Sequence, residues 1–260
     1  MQDERVNKVA YLKNADGQRI AYRYTPGLAP TVVFLSGFRS DMAGNKSRHL
    51  AATCAALGHG YLCLDYRGHG QSEGDFEAAC VTDWLSDAWA VIEHAVEGAI
   101  VLVGSSMGGW IGLRVAQLLQ QARPGMLKGF VGIAAAPDFT QSYLPARLGA
   151  ELVATAMRDG VVYIDSKYGD GPYPITRKLL QDGRKNTVLD KPLSLNCPVR
   201  LLHGELDPDV PWQRSQQLLA HMDCQDASLS IIKDGDHRLS EPLHLRDLDQ
   251  VVIALLGAPP

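Results

Sequence analysis

Short apolar runs alternate with longer stretches of helical periodicity along most of this 260-residue chain. The runs are residues 31–35, 61–65, 100–103, 130–134, 199–203 and 229–232. They show little polar alternation, which marks strands buried on both faces. Residues 45–57, 82–96, 107–121, 212–221 and 242–255 read as helices. A strand followed by a helix, repeated, predicts an α/β fold with a mostly parallel central sheet and helices on both faces. The start of the chain differs. Residues 6–12 and 19–24 flank Asn14-Ala15-Asp16-Gly17, whose turn chemistry predicts an antiparallel hairpin.

Residues 138–196 break the alternation. They are rich in Gly, Pro and Tyr, and Leu144, Leu148 and Leu152 recur every four residues, as on one helix face. A small helical cap inserted over the strand ends is expected here, because open α/β sheets bind ligands at those ends. A surface insertion with no part in the chemistry is the other reading. Repeats, linkers and low-complexity tracts are absent, so residues 1–260 read as one domain carrying that insertion.

Composition narrows the function classes. Apolar residues make up 46% and charged residues 21%, the balance of an ordinary globular chain. The net charge of -4 comes with no basic block, so nothing electrostatic favours nucleic acid or an anionic membrane surface. No run approaches the roughly 20 apolar residues that span a bilayer. Residues 1–18 show neither a signal-peptide apolar core nor an Arg-rich transit pattern, so neither is expected. The five cysteines, Cys54, Cys63, Cys80, Cys197 and Cys224, are odd in number and form no CxxC pair. They read as isolated buried thiols of a reducing compartment, so a cytoplasmic location is expected, with no metal and no cofactor implied.

The chemistry begins at Gly104-Ser105-Ser106-Met107-Gly108. As a bare G-x-S-x-G pattern it is a weak signal. Its setting strengthens it, because an apolar run precedes it and a helical stretch follows, the strand–turn–helix context of a nucleophile elbow. A serine on so sharp a turn needs tiny residues two positions either side, which Gly104 and Gly108 supply. Ser105 lacks that frame, since Val103 and Met107 flank it. Ser106 is therefore the candidate nucleophile, and the Met107 N–H points to a developing oxyanion. A second donor is expected from the loop after an earlier strand, where Ser36-Gly37-Phe38-Arg39 offers the Phe38 N–H. Arg39 reads as a solvated side chain, with contact to a substrate carboxylate as the other option.

A serine nucleophile needs a base, and the base an orienting carboxylate, in the chain order Ser, acid, His. The run 199–203 leads into Gly204-Glu205-Leu206-Asp207-Pro208-Asp209. Asp207, at the turn set by Gly204 and Pro208, is the first choice. Asp209 is second and Glu205 third. The run 229–232 leads to His237, the one histidine in its loop. His59 and His69 fall in loops and His203 at a strand end, while His49, His94, His221 and His244 suit helix surfaces or ends.

With these residues in view, the chain resembles the α/β-hydrolase superfamily. Asp65-Tyr66-Arg67-Gly68-His69-Gly70-Gln71-Ser72 is similar to a structural loop that many members carry. The longer strings Gly104–Trp110, Asn196–Gly204, Val210-Pro211-Trp212 and Asp236-His237-Arg238 resemble the mitochondrial acyl-glucuronide esterase and palmitoyl-protein thioesterase family of animals, over residues 20–242. The resemblance implies a Ser106, Asp207 and His237 triad and an acyl ester or thioester as the small-molecule substrate, with an acylated protein as a further candidate. It is least evident over residues 138–196, and no transit pattern precedes it.

The leading expectation is a serine esterase or thioesterase working through an acyl-enzyme. Dehalogenases and epoxide hydrolases of this fold need a carboxylate at the elbow, which Ser106 argues against. A peptidase or amidase would share the triad. A ligand-binding receptor on the same scaffold is the non-enzymatic alternative.

Overall fold

The computed structural model of the chain describes residues 8–165 and 171–257. Eight strands form the central sheet: β1 (Ala10–Lys13), β2 (Arg19–Thr25), β3 (Leu28–Leu35), β4 (His59–Leu64), β5 (Ile100–Ser105), β6 (Leu127–Ile133), β10 (Val199–Gly204) and β12 (Ala227–Ile232). Their spatial order is β1-β2-β4-β3-β5-β6-β10-β12. The β1–β2 and β2–β4 pairings are antiparallel, and every pairing from β4 through β12 is parallel. The β1–β2 turn falls on Asn14–Gly17, with Gly17 at φ 79. The expected first strand began at residue 6; residues 6 and 7 lie outside the described residues, and β1 starts at Ala10.

Helices cover both faces. α1 (Asn45–Leu57) and α8 (Pro242–Leu256) lie on one side, where Leu50, Cys54, Leu248 and Val252 pack on Val32, Val101 and Val131. α2 (Val81–Ala95) and α3 (Met107–Ala122) lie on the other, where Trp84 and Trp110 pack with Val33, Leu102 and Phe130. α7 (Gln213–His221) follows β10, and its Leu218 joins the second cluster. Local chemistry sets the ends. Asp83 closes a capping box on Cys80 at the start of α2. Gly58 ends α1 and Gly257 ends α8, both left-handed.

Between β6 and β10 the chain forms α4 (Phe139–Ser142), α5 (Leu144–Asp159), the antiparallel pair β7 (Val161–Ile164) and β8 (Tyr173–Thr176), α6 (Arg177–Gly183) and β9 (Leu193–Ser194), which pairs with β11 (Met222–Asp223). The segment is thus not purely helical. Its leucine stripe is also broken. Leu144 and Leu148 are buried, but Leu152 is 40% exposed. Gly149, at φ 78 and ψ 160, interrupts α5 and rotates the following turns out of register. Buried polar bonds fasten the segment to the sheet side. The Trp110 indole donates to the Asn186 carbonyl at 2.9 Å, and Asp138 accepts from the Val188 and Leu189 N–H groups. Thr82 at the start of α2 donates twice to Asp182 of α6.

Candidate active site

The parallel strands end at one rim, and β5 turns there into α3 at Ser106. The serine has φ 55 and ψ -119, a conformation that non-glycine residues avoid and that costs roughly 1–3 kcal/mol. Its surroundings hold it there: the Ser106 N–H donates to the Ile133 carbonyl at 2.9 Å, and its own carbonyl accepts from Gly109 and Ala136. The two framing glycines are sterically required. A Cβ on Gly104 would collide with the Gly108 carbonyl, and one on Gly108 with the carbonyls of Leu35 and Ser36. Met107 is the first residue of α3, where a helix leaves its N–H without an internal acceptor.

His237, in the loop after β12, reaches Ser106 from one side and Asp207 from the other. Its Nε2 lies 3.1 Å from Ser106 Oγ and its Nδ1 2.7 Å from Asp207 Oδ2. The carboxylate fixes the tautomer, so Nδ1–H donates to it and Nε2 is left to accept the serine proton. Asp207 follows β10, its carboxylate fully buried. Its Oδ1 accepts from the N–H groups of Asp209 and Val210, each at 2.8 Å. Burial pushes this carboxyl up, but hydrogen bonds from His203 and His237, the charge of His237 and the Val210 N–H together hold it well below the usual carboxylate range.

The other two acids sit elsewhere. Asp209 pairs with Arg147 at 3.1 Å. Glu205 is exposed and faces the Asp234 N–H. Asp207, Asp209 and His237 lie close enough together to hold a metal ion, but Asp207 Oδ2 and His237 Nδ1 are already engaged with each other.

Phe38 and Met107 line the same cavity as Ser106. A Cβ on Gly37 would touch the Ser106 side chain at 3.3 Å, so the Phe38 loop runs directly beside Ser106. The Phe38 ring is gripped edge-on by Phe76, Trp84, Phe139 and Tyr173, with centroids 4.9–6.1 Å away. Next to it, the Arg39 N–H donates to His69 Nε2 at 3.3 Å, while His69 Nδ1 faces the Arg67 carbonyl at 3.2 Å. Burial pushes His69 down to about 4, so its Nε2 lone pair stays available. The Arg67–Gly70 loop thus supports the Phe38 loop. Nothing local to residues 65–72 signals this, because the contact spans 30 residues. The Arg39 side chain is exposed at the cavity rim, over the Phe76 ring.

The cavity measures about 170 Å³ and has two chemistries. One wall is apolar, formed by Phe38, Phe139, Leu144, Ile164, Tyr173 and Ile175, mostly from the segment between β6 and β10. The polar lining includes Arg39, Lys46, Arg147, Asp165, Asp209 and Arg238, of which Arg238 directly follows His237. The Lys46 ammonium donates to the Arg238 carbonyl and approaches Ser240 at 3.5 Å. Burial lowers Lys46 to about 8.

A hydroxyl set against an imidazole that a buried carboxylate orients, at a strand-to-helix elbow of a mostly parallel sheet, defines a class of protein. The pattern of the Alpha/beta hydrolase family matches residues 32–254, and the chain belongs to that family. The mitochondrial palmitoyl-protein thioesterase of Bos taurus is 35% identical over 237 residues, covering 90% of this chain and 75% of that protein. Among solved structures, alpha/beta hydrolase domain-containing protein 10 from mouse superposes with a TM-score of 0.87 at 31% identity, covering 96% of this chain and 99% of that one. A putative hydrolase from Agrobacterium vitis superposes with a TM-score of 0.91 at 37% identity, covering 96% and 98%.

Proposed function

We propose that the protein is a serine hydrolase that cleaves a carboxylic ester or thioester through an acyl-enzyme, with Ser106 as nucleophile, His237 as base and Asp207 as its orienting acid. The observation that carries this reading is the continuous hydrogen-bond chain from Ser106 Oγ through His237 to Asp207 Oδ2. In the first half-reaction His237 Nε2 takes the serine proton as Oγ attacks the acyl carbon. The Phe38 and Met107 N–H groups receive the oxyanion. The imidazolium, stabilised by Asp207, gives its proton to the departing oxygen or sulfur. In the second half-reaction His237 activates water, and the acid is released.

In this reading the apolar and the cationic parts of the lining take different halves of the substrate. The leaving group departs past the base that protonates it, so Arg238 next to His237 and Lys46 bonded to its carbonyl suit an anionic leaving group, such as a carboxylate-bearing sugar, with Arg39 a further cation at the rim. The apolar wall suits the acyl chain, and the segment of residues 138–196 acts as a cap over it. The name of the Bos taurus relative supports an acylated protein as a further substrate. All five thiols are unpaired in the structure, which supports a cytoplasmic location. Among the described residues, no helix is long and apolar enough to cross a membrane.

Hydrolysis of p-nitrophenyl esters from acetyl to palmitoyl, wild type beside Ser106→Ala, tests the proposal. Turnover by the wild type and a loss of several orders of magnitude in the variant are expected. Equal activity in both would remove Ser106 from the mechanism. Inertness of both toward esters and thioesters, with cleavage of a peptide, would favour the peptidase reading.

A further inference from the structure

His203, the second-last residue of β10, is fully buried four residues before the carboxylate that holds His237. Its Nε2 faces two acceptors, Asp207 Oδ2 at 3.1 Å and the Val210 carbonyl at 2.9 Å. Neither can donate while Asp207 is ionised, so Nε2 carries the proton. Its Nδ1 lies 2.7 Å from the Ser215 hydroxyl of α7, which donates to it and locks that tautomer. Asp207 Oδ2 therefore receives two imidazole donors, one from His203 and one from His237, while Oδ1 receives two backbone donors.

We infer that His203 is a positioning residue of this site: its Nε2–H, held in place by Ser215, sets the orientation and acceptor strength of Asp207 and so tunes the base His237. The inference rests on the triad reading above. A buried carboxylate oxygen with one donor fewer binds its remaining donor more tightly. Without His203, Asp207 would hold the His237 imidazolium more strongly and would also be freer to turn. The first effect raises the pH at which His237 becomes available as a base, and the second misaligns it.

The other ionisable groups around the pair include Tyr143 just before α5, Arg147 on α5, Asp209 on the same loop, Arg214 on α7, Lys46 on α1, and Asp236 and Arg238 either side of His237. They are the same in every variant below, so a moved profile reports on residue 203 or its lock.

The test compares His203→Leu, His203→Gln and Ser215→Ala with wild type, the active-site concentration of each fixed by titration with a fluorophosphonate, and with Ser106→Ala, its concentration fixed by absorbance. The Gln amide nitrogen reaches about where Nε2 sits, so it restores the donor, whereas Leu removes it. The expected result for His203→Leu is a fall in kcat of roughly tenfold to hundredfold. The acid limb of kcat/KM should also move to higher pH. His203→Gln should recover most of both, and Ser215→Ala should move the limb in the same direction by less. Equal loss in both His203 variants with an unmoved limb would overturn the inference, since that outcome describes a packing role only. Unchanged kcat and an unmoved limb in all three variants would overturn it too. Should His203→Leu not fold, an unmoved limb in His203→Gln and Ser215→Ala together overturns it.

A second readout does not need turnover. Downfield proton spectra of 15N-histidine-labelled protein should show the His237 Nδ1–H and the His203 Nε2–H in the wild type. The His237 signal should shift in Ser215→Ala; an unshifted signal overturns the inference. An inactive wild type with this signature intact would instead count against the triad reading.

Discussion

The smallest unit of this site is the backbone of Ser106, held in a conformation that only its neighbours make tenable. Gly108 is the least replaceable of them, because any Cβ there meets two carbonyl oxygens of the β3 end. Gly108→Ala should therefore destabilise the fold by about 3 kcal/mol in denaturant titration. It should also lower kcat at least a hundredfold, because a shift of about 1 Å at the nucleophile suffices for that loss. A variant with normal stability and turnover would show that the elbow relaxes freely. Lys46 belongs to the same scale, where the proposed anionic leaving group makes it testable. Lys46→Met should raise KM for an ester with an anionic leaving group by roughly threefold to tenfold, and leave a neutral ester nearly unchanged. Because burial lowers Lys46 to about 8, its charge is present below that pH and fades above it. The wild-type KM for the anionic ester should accordingly rise above pH 8 toward that of the variant, as initial-rate kinetics on the two esters would show.

At the scale of elements, the segment between β6 and β10 owes its position to a few buried bonds. Asp182 of α6 accepts from the Thr82 N–H at 2.8 Å, the Thr82 hydroxyl at 2.7 Å and the Asn186 amide at 3.1 Å. Asp182→Ala strands the two Thr82 donors, whereas the Asn186 amide keeps the Thr82 hydroxyl and the residue-182 carbonyl, so the cost is about 2 kcal/mol. The expected kinetic signature is a raised KM for long acyl esters with little change in kcat for acetyl, since only the apolar wall is loosened. The same segment shows where legibility in the sequence ends. The parallel strands announce themselves because Val32, Val101 and Val131 are buried on both faces, so their apolar runs are uninterrupted. The Ser106, Asp207 and His237 positions are legible for a related reason, as each follows a strand at the same rim. β7 and β8 are four residues each, too short to display a period, even though β8 is mostly buried. The stripe of Leu144, Leu148 and Leu152 reads as one face only if α5 is continuous, and Gly149 breaks it. The roles of His69 and His203 were hidden altogether. One depends on a loop 30 residues away, and the other on how a turn folds back on its own strand.

For the molecule as a whole, the histidine beneath the Phe38 loop couples the site to stability. His69 is buried, and its burial lowers it from an ordinary 6.5 to about 4. Between those values the unfolded chain binds a proton that the folded one refuses, so stability rises with pH there and is lost as pH falls from 6.5 toward 4. The full difference corresponds to roughly 3 kcal/mol at the acid end. Asp207 acts in a lower window. Its carboxyl is held down in the folded state, so its contribution is complete above the ordinary carboxylate range and fades only as pH falls below it. Denaturant unfolding at pH 7, 5.5 and 4 should therefore show a decline that begins well above the carboxylate range. His69→Gln should flatten the part between pH 6.5 and 4 while leaving the steeper loss below it. His69→Leu, which leaves the Arg39 N–H without any acceptor from residue 69, should lower kcat at pH 7, because the Phe38 N–H proposed as an oxyanion donor is then less firmly set. A His69→Gln protein with the wild-type slope between pH 6.5 and 4 would mean that His69 is protonated without cost in the fold, and an unchanged kcat in His69→Leu would mean that the Phe38 loop is held by its ring contacts alone.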